Sequence, residues 1–490
     1  MEALKIEKIV EAVGGELLSG SEETLITSVS TNSKEIERGA IFVPIIGERV
    51  DAHKFISMAL ENGAVAAFTS KVIEEKDKIE GKAYIQVENT IDALQKLGAY
   101  YRSLFPIPCI GITGSVGKTT TKEMIAAALE TKFKVLKTAG NMNSQVGLPI
   151  MMTHLSKEHQ IAVIEMGMSE EGEMARLAPI AKPDYAVITN IGVSHIGQLG
   201  SKENIRKEKL NIINYFGKGW EKEGNILYIN GNDELLLQLN QWKKNLAVME
   251  DTMITQETKD VWNKVGIVTF GTETYNQYYA KNIETVGEKT HFTFVYPEGE
   301  EKIILSVLGM HNVNNAIIAL TLALEFGITP DIAKEGLEKY QPIAMRGQIY
   351  EKEGIKIIDD TYNASPDSMK SGVDVLLEMP DLNRRILVLA DVLELGDVSR
   401  QCHYEVGEYI AKSAKNEKKI EQVVTVGKEA KAIVEAIENR NTNIITHSFD
   451  RNEDATNYLQ LLLCKGDGIL IKGSRGMHMD EIVKELSGKS

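Results

Sequence analysis

The stretch "GITGSVGKTTTKEM", Gly111 to Met124, constrains the fold of this chain more than any other. An apolar run, a glycine-rich turn and a Gly117-Lys118-Thr119 ending that opens a helical pattern describe a strand, a loop and a helix start. A buried strand of this kind needs neighbours, and it finds them in a mostly parallel sheet covered by helices. The strict phosphate-loop spacing, G-x-x-x-x-G-K-[ST], would place its first glycine at 112, where Ile112 stands. Gly114 supplies a flexible point three residues before Gly117 instead. Glycines let backbone N–H groups turn onto phosphate oxygens, the helix start adds partial positive charge, and Lys118 adds a full one. Thr119 offers a hydroxyl to a Mg²⁺ bridging phosphates, and Ser115 and Thr120 belong to the same cradle. The alternative is a Gly-Ser turn that caps a helix and leaves Lys118 in solvent.

The chain of 490 residues is too long for one core and divides into about three domains. Residues 1–104 mix short buried strands ("GAIFVPII", "AVAAFTS") with the helix "DAHKFISMALENG", giving a small mixed α/β domain. "YRSLFPIPC", with two prolines, reads as a linker. Residues 105–309 continue from the glycine loop through "IAVIEMG" and "YAVITNIG", a central parallel-sheet phosphate-loop domain with helices on both faces. The pattern restarts near "LSVLGMHNVNNAIIAL", and residues 310–490 carry "GIKIIDD", "RRILVLADV", "QVVTVG" and "DGILIKG" between helices, a Rossmann-like α/β domain. Ligands of such sheets sit at the carboxyl ends of the strands and between domains.

With 55 basic and 70 acidic residues the chain carries a formal charge of −15, which argues against a nucleic-acid partner. No run of about 18 apolar residues occurs, so no membrane span is expected, and the N-terminus has no apolar signal region. Cys109, Cys402 and Cys464 match no zinc spacing and are expected reduced and buried in a cytoplasmic protein.

Three ionisable residues downstream of the loop bear on its chemistry. Glu165 ends the apolar run "IAVIE", where a carboxylate can hold Mg²⁺ or simply turn to solvent. His195 follows "YAVITNIG" in "NIGVSHIGQLG", either in the site or as a hydrogen-bonded loop residue. Lys209 lies in the charged segment "SKENIRKEKLNII", which reads locally as a solvated helix face.

Taken in order, "TGSVGKTTTK", "TAGNMNSQVGLP", "IEMG", "NIGVSHI", "EKLNI", "HNVNNAIIAL" and "MRGQIYEKEGIKIIDDTYNASPDSM" resemble the Mur ligases of cytoplasmic peptidoglycan synthesis. The resemblance runs from the loop to "ILIKGSRGM" and is weaker in the first hundred residues. "DDTYNASPDSM" followed by "VLADVLELGDVS" is most similar to members that add D-alanyl-D-alanine to UDP-N-acetylmuramoyl-tripeptide. The family's loop also lacks the strict first glycine.

The resemblance implies ATP, two Mg²⁺ ions and a CO₂-derived carbamate on Lys209, with Lys207 as the neighbouring alternative. It places Thr119, Glu165, His195 and Lys209 at the metals, with Lys118, Glu165, His195 and Lys209 forming the catalytic group. Asn141 falls in the nucleotide-binding set, Asn312 meets adenine, and Arg346 and Asp360 reach the γ-phosphate and the ribose. Ser33, Lys34, Asn143 and Asn363 fall on substrate positions. The uridine pattern departs at Asn32-Ser33-Lys34 and at Ala40, and Ser144 stands where a second asparagine is commoner. The implied enzyme is a monomer that activates a carboxylate as an acyl phosphate. A sister ligase for another amino acid, a folylpolyglutamate-type ligase and a regulatory phosphate-loop NTPase are the competing readings.

Overall fold

Strand Cys109–Thr113 is wholly buried and pairs in parallel with Ile161–Glu165 on one side and Tyr185–Ile188 on the other. Cys109, Ile110 and Ile112 are apolar and Gly111 has no side chain, as a strand covered on both faces requires. The computed structural model describes residues 1–216, 224–244, 254–262, 264–413, 419–440 and 442–488. Among these residues the main sheets have five, nine and six strands, one sheet to each of three α/β bodies.

The central sheet runs Val135–Lys137, Ile161–Glu165, Cys109–Thr113, Tyr185–Ile188, Ile226–Asn230, Gly266–Gly271 and Tyr278–Val286, all parallel. Its edge is an antiparallel meander through Lys289–Tyr296 and Gly299–Leu305, where alternating polar and apolar residues suit a sheet half-open to water. One face carries Ala162, Ile164, Ala186 and Ile188 against Leu177, Ile205 and Ile212. The opposite face carries Ile110, Ile112, Val163 and Val187 under helix Lys118–Leu129.

Helices Met310–Glu325 and Pro330–Glu338 pack on that same helix, and Val313, Ile317, Leu320 and Leu337 join its core. The expected restart at 310 therefore falls inside the central body. A local pattern shows where a helix begins but not which sheet it covers. The third sheet starts only at Gln348–Lys352.

The N-terminal sheet pairs Glu16–Ser19, Ala83–Gln86, Ala66–Thr69, Ala40–Phe42 and Ser28–Ser30, antiparallel in its first pair and parallel in the rest. It ends in helix Thr90–Ser103, capped by the Asn89 side chain. The segment expected as a linker is anchored. Tyr101 Oη donates to the Leu155 carbonyl at 2.9 Å, and the Arg102 guanidinium donates to the carbonyls of Ala181, Phe105 and Ile107.

The C-terminal sheet has the order Gln348–Lys352, Ile355–Asp359, Asp467–Lys472, Arg384–Ala390, Gln422–Val426 and Ile445–Phe449. Only its first pair is antiparallel. Cys109 and Cys402 are buried as expected, but Cys464 is exposed on the turn before Asp467–Lys472, where no core packs over it. Among the described residues no helix is long and apolar enough to cross a membrane.

Candidate active site

The glycine loop leaves the carboxyl end of Cys109–Thr113 and turns into helix Lys118–Leu129. Gly114 has φ 152°, and a Cβ there would collide with Thr189 Oγ1, so the position tolerates no side chain. The loop is pinned from the next strand's exit. Ser115 N–H donates to the Asn190 carbonyl at 3.1 Å, Val116 N–H to Asn190 Oδ1 at 2.9 Å, and Thr189 Oγ1 to the Val116 carbonyl at 2.6 Å. With those two N–H groups engaged, the phosphate cradle falls to the helix start from Gly117 onward, whose first N–H groups have no helical acceptor.

This loop forms one wall of a cleft of about 710 Å³ between the central and C-terminal bodies, a size suited to a nucleotide-sized ligand. Ser115, Gly117, Lys118, Thr119, Thr120, Asn141, Asn143, Glu165, His195 and Asn312 line it from the central body, and Arg346, Asp360 and Asn363 from the C-terminal one. Residues spread over about 250 positions of sequence thus meet in one place.

Lys118 Nζ donates to the Gly114 carbonyl at 2.8 Å. Burial pushes its ammonium below the ordinary lysine range, Glu165 opposes that and Arg346 adds to it. Glu165 is not the solvent-facing strand end that its position allowed. It is buried at 3% exposure, with Oε1 accepting from Asn143 Nδ2 at 2.7 Å. Its Oε2 is buried without a hydrogen-bond partner among the described residues. A carboxylate oxygen left over in a cleft that Thr119 also lines suits a hard divalent cation. Asn143, expected at the substrate, spends its amide on Glu165 and so positions that carboxylate.

Lys209 is not on a solvated face. It is 1% exposed, and its Nζ reaches the Gly114 carbonyl at 3.1 Å from behind the loop, outside the cleft lining. Burial holds this amine well below the ordinary lysine range, the neighbouring Lys118 charge lowers it further, and Glu208 opposes both. Lys207 instead lines a separate polar cavity beside Glu171 and Asn211. Among the described residues no three His, Cys, Asp or Glu side chains gather as a metal site. Glu165 and His195 share the cleft, while Lys209 stops one carbonyl short of it.

His195 Nδ1 lies 2.8 Å from Glu394 Oε2, a close polar contact that is not aligned as a hydrogen bond. The imidazole beside it holds the Glu394 carboxyl below the usual carboxylate range. On the facing wall, Lys472 at the end of Asp467–Lys472 bonds Asp360 Oδ2 at 2.5 Å and the Asn363 carbonyl at 3.1 Å. The Arg346 guanidinium stacks over the Tyr362 ring at 3.9 Å. Asn312 donates to the Leu308 carbonyl at 2.7 Å.

Lys472, Tyr362 and Glu394 were missed by the sequence reading. Lys472 carried a usable signal, a lysine ending a buried parallel strand, whereas Glu394 carried none, because only folding brings it to His195. Ser33 and Lys34 are not brought to this cleft. Ser33 is buried in the N-terminal body with its carbonyl accepting from Asn62 Nδ2 at 2.9 Å, and Lys34 is exposed.

Three family models match the chain: "Mur ligase family, catalytic domain" over residues 25–102, "Mur ligase middle domain" over 112–323, and "Mur ligase, glutamate ligase domain" over 345–475. The UDP-N-acetylmuramoyl-tripeptide--D-alanyl-D-alanine ligase of Bacillus subtilis is 38% identical, covering 98% of each chain. The enzyme of that name from Escherichia coli is 32% identical over 99% of each. A crystal structure of MurF from Acinetobacter baumannii superposes with TM-score 0.85 at 30% identity, covering 100% of both chains. MurF from Thermotoga maritima in complex with ADP gives 0.78 at 29% identity, over 94% of this chain and 97% of that one. A Mycobacterium tuberculosis folylpolyglutamate synthase shares the fold, with TM-score 0.59 at 15% identity over 82% of this chain and 95% of that one.

Proposed function

The chain belongs to the Mur ligase family, and from that premise we propose that it joins D-alanyl-D-alanine to UDP-N-acetylmuramoyl-tripeptide at the expense of ATP, a step of peptidoglycan precursor synthesis. The observation that carries this reading is the cleft itself, in which Lys118, Thr119 and Glu165 face the segment Asp360–Ser371 across the two bodies. Both substrate-name relatives cover nearly the whole chain, and the folylpolyglutamate synthase shares only the fold.

A carboxylate is a poor electrophile, so amide formation needs a better leaving group. The γ-phosphoryl group of ATP passes to the tripeptide's terminal carboxylate, giving an acyl phosphate and ADP. The free amine of D-alanyl-D-alanine attacks the carbonyl carbon, phosphate leaves, and the ammonium proton is lost. Lys118 and the start of helix Lys118–Leu129 neutralise the β- and γ-phosphates, which would otherwise repel the incoming carboxylate. Arg346, held flat by Tyr362, faces the same charge from the opposite wall. Lys472 fixes Asp360 for the ribose and anchors the backbone at Asn363.

Thr119 and Glu165 would hold one Mg²⁺, His195 and a carbamylated Lys209 the second, and the ions supply further charge neutralisation when bound. Burial disfavours the ammonium of Lys209 and so favours the neutral amine that adds CO₂, which supports the assignment to Lys209. Closure of the two walls would keep water from the acyl phosphate, whose hydrolysis would waste ATP. The nucleotide-linked substrate and ATP are consistent with a cytoplasmic enzyme.

The test is phosphate release from ATP and Mg²⁺ with UDP-N-acetylmuramoyl-tripeptide, with and without D-alanyl-D-alanine. Release is expected only with the dipeptide, and D-glutamate, a diamino acid or L-glutamate should not replace it. Equal release in its presence and absence overturns the reading.

A further inference from the structure

Two residues that meet across the boundary of the central and C-terminal bodies are both in left-handed backbone without being glycine. His195 has φ 64° and Glu394 has φ 68°. In that region an L side chain crowds its own carbonyl, and such strain persists where surrounding contacts impose it. The contact around the pair is correspondingly close. Gly197 N–H donates to the Glu394 carbonyl at 3.3 Å, and a Cβ on Gly197 would stand 2.9 Å from that oxygen and from Gly396 N. Gly396 is itself left-handed, with φ 57°. The Glu394 side chain is 56% exposed, and a polar contact so open to water adds little to stability. Strain on both partners is therefore not offset by the pair as a stabilising contact.

The geometry fits a positioning task. His195 lines the cleft beside the phosphate-holding loop, while its Nδ1 turns to Glu394. A histidine that holds a metal through one ring nitrogen commonly has its other N–H fixed by a carboxylate, which sets the tautomer and the ring's direction. We propose that Glu394 is a positioning residue for His195: its Oε2, 2.8 Å from Nδ1 but not aligned as a hydrogen bond here, would accept Nδ1–H once the second divalent ion draws Nε2. Because Glu394 belongs to the C-terminal body, that ion is held fully only when this body is closed on the central one. Ion binding and closure then favour each other by the same factor. The proposal rests on His195 as a holder of the second ion, part of the function proposed above.

The experiment titrates Mn²⁺ into the full chain with a non-hydrolysable ATP analogue and reads free Mn²⁺ by electron paramagnetic resonance. Neither tripeptide nor acceptor is present, so the outcome is independent of which amide the enzyme makes. Wild-type protein is expected to take up two ions. In Glu394→Ala the weaker ion should lose on the order of 10- to 100-fold in affinity. Glu394→Gln, whose amide oxygen can accept from Nδ1, should recover part of that loss, as a merely structural role would not require. Gly197→Ala, which leaves both ionisable groups in place but forces the loops apart, should lose Mn²⁺ affinity as Glu394→Ala does. In the full reaction kcat should fall while the KM for tripeptide stays near wild type. Unchanged Mn²⁺ affinity in both Glu394→Ala and Gly197→Ala overturns the proposal. A wild type that takes up one ion also overturns it, while the dipeptide-dependent phosphate release separately decides the ligase reading.

Discussion

Lys209 donates from Nζ to the Gly114 carbonyl with its side chain out of water and the Lys118 charge beside it. Both effects disfavour the ammonium, so the amine is neutral at a lower pH than a solvated lysine, and the neutral amine is the nucleophile for CO₂. A carbamate made there places an anion beside the Lys118 charge, where it is favoured, and protonation releases it. Lys209→Ala is expected to lose activity on the order of 100-fold or more, since a metal-holding group should cost at least as much as the residue that orients one. Wild-type enzyme exposed to mild acid should lose activity and regain it with bicarbonate, and Lys209→Ala should not respond. Full activity in the variant, or no bicarbonate effect on wild type, counts against the carbamate. At this scale the sequence was half legible. Lys118 and Thr119 announce themselves within a motif, but Lys209 in "SKENIRKEKLNII" looks like any charged helix until burial singles it out.

Helix Lys118–Leu129 carries the loop on its N-terminus, and how firmly it is held sets how well the loop is held. Part of that hold is a crossing with helix Pro330–Glu338, where Gly336 packs so tightly that a Cβ would collide with the Ala127 carbonyl oxygen. Gly336→Ala should therefore destabilise the central body. Overpacking of this kind costs about 1–3 kcal/mol, against which alanine's better helix propensity offsets roughly 1 kcal/mol. Urea unfolding followed by the tryptophans should show a lower midpoint with an unchanged slope, and a midpoint at or above wild type would mean that the crossing relaxes freely. Nothing in "PDIAKEGLE" marks that glycine, because its constraint is another helix's backbone.

For the whole molecule, the decisive boundary lies after Tyr340 rather than at 310. Val313, Ile317, Ile318, Leu320 and Leu322 of helix Met310–Glu325 are fully buried in the central core. Five such side chains at about 1.5–3 kcal/mol each are comparable to the entire net stability of a domain. A fragment of residues 1–340 should therefore unfold cooperatively, whereas residues 1–309 should bind a hydrophobic dye or aggregate. Equal cooperativity in the two fragments would return the boundary to 310. The sequence by itself determined the parallel α/β class, the phosphate-holding loop and the succession of strands that the three sheets use. Those features are local, since apolar period, glycine placement and a helix start are set by residues a few positions apart. Only the tertiary structure decided that Glu165 keeps an unpaired buried oxygen, that Lys209 rather than Lys207 lies behind the loop, and that Glu394 meets His195. Each depends on burial or on contact between distant segments, and no window of sequence contains both partners.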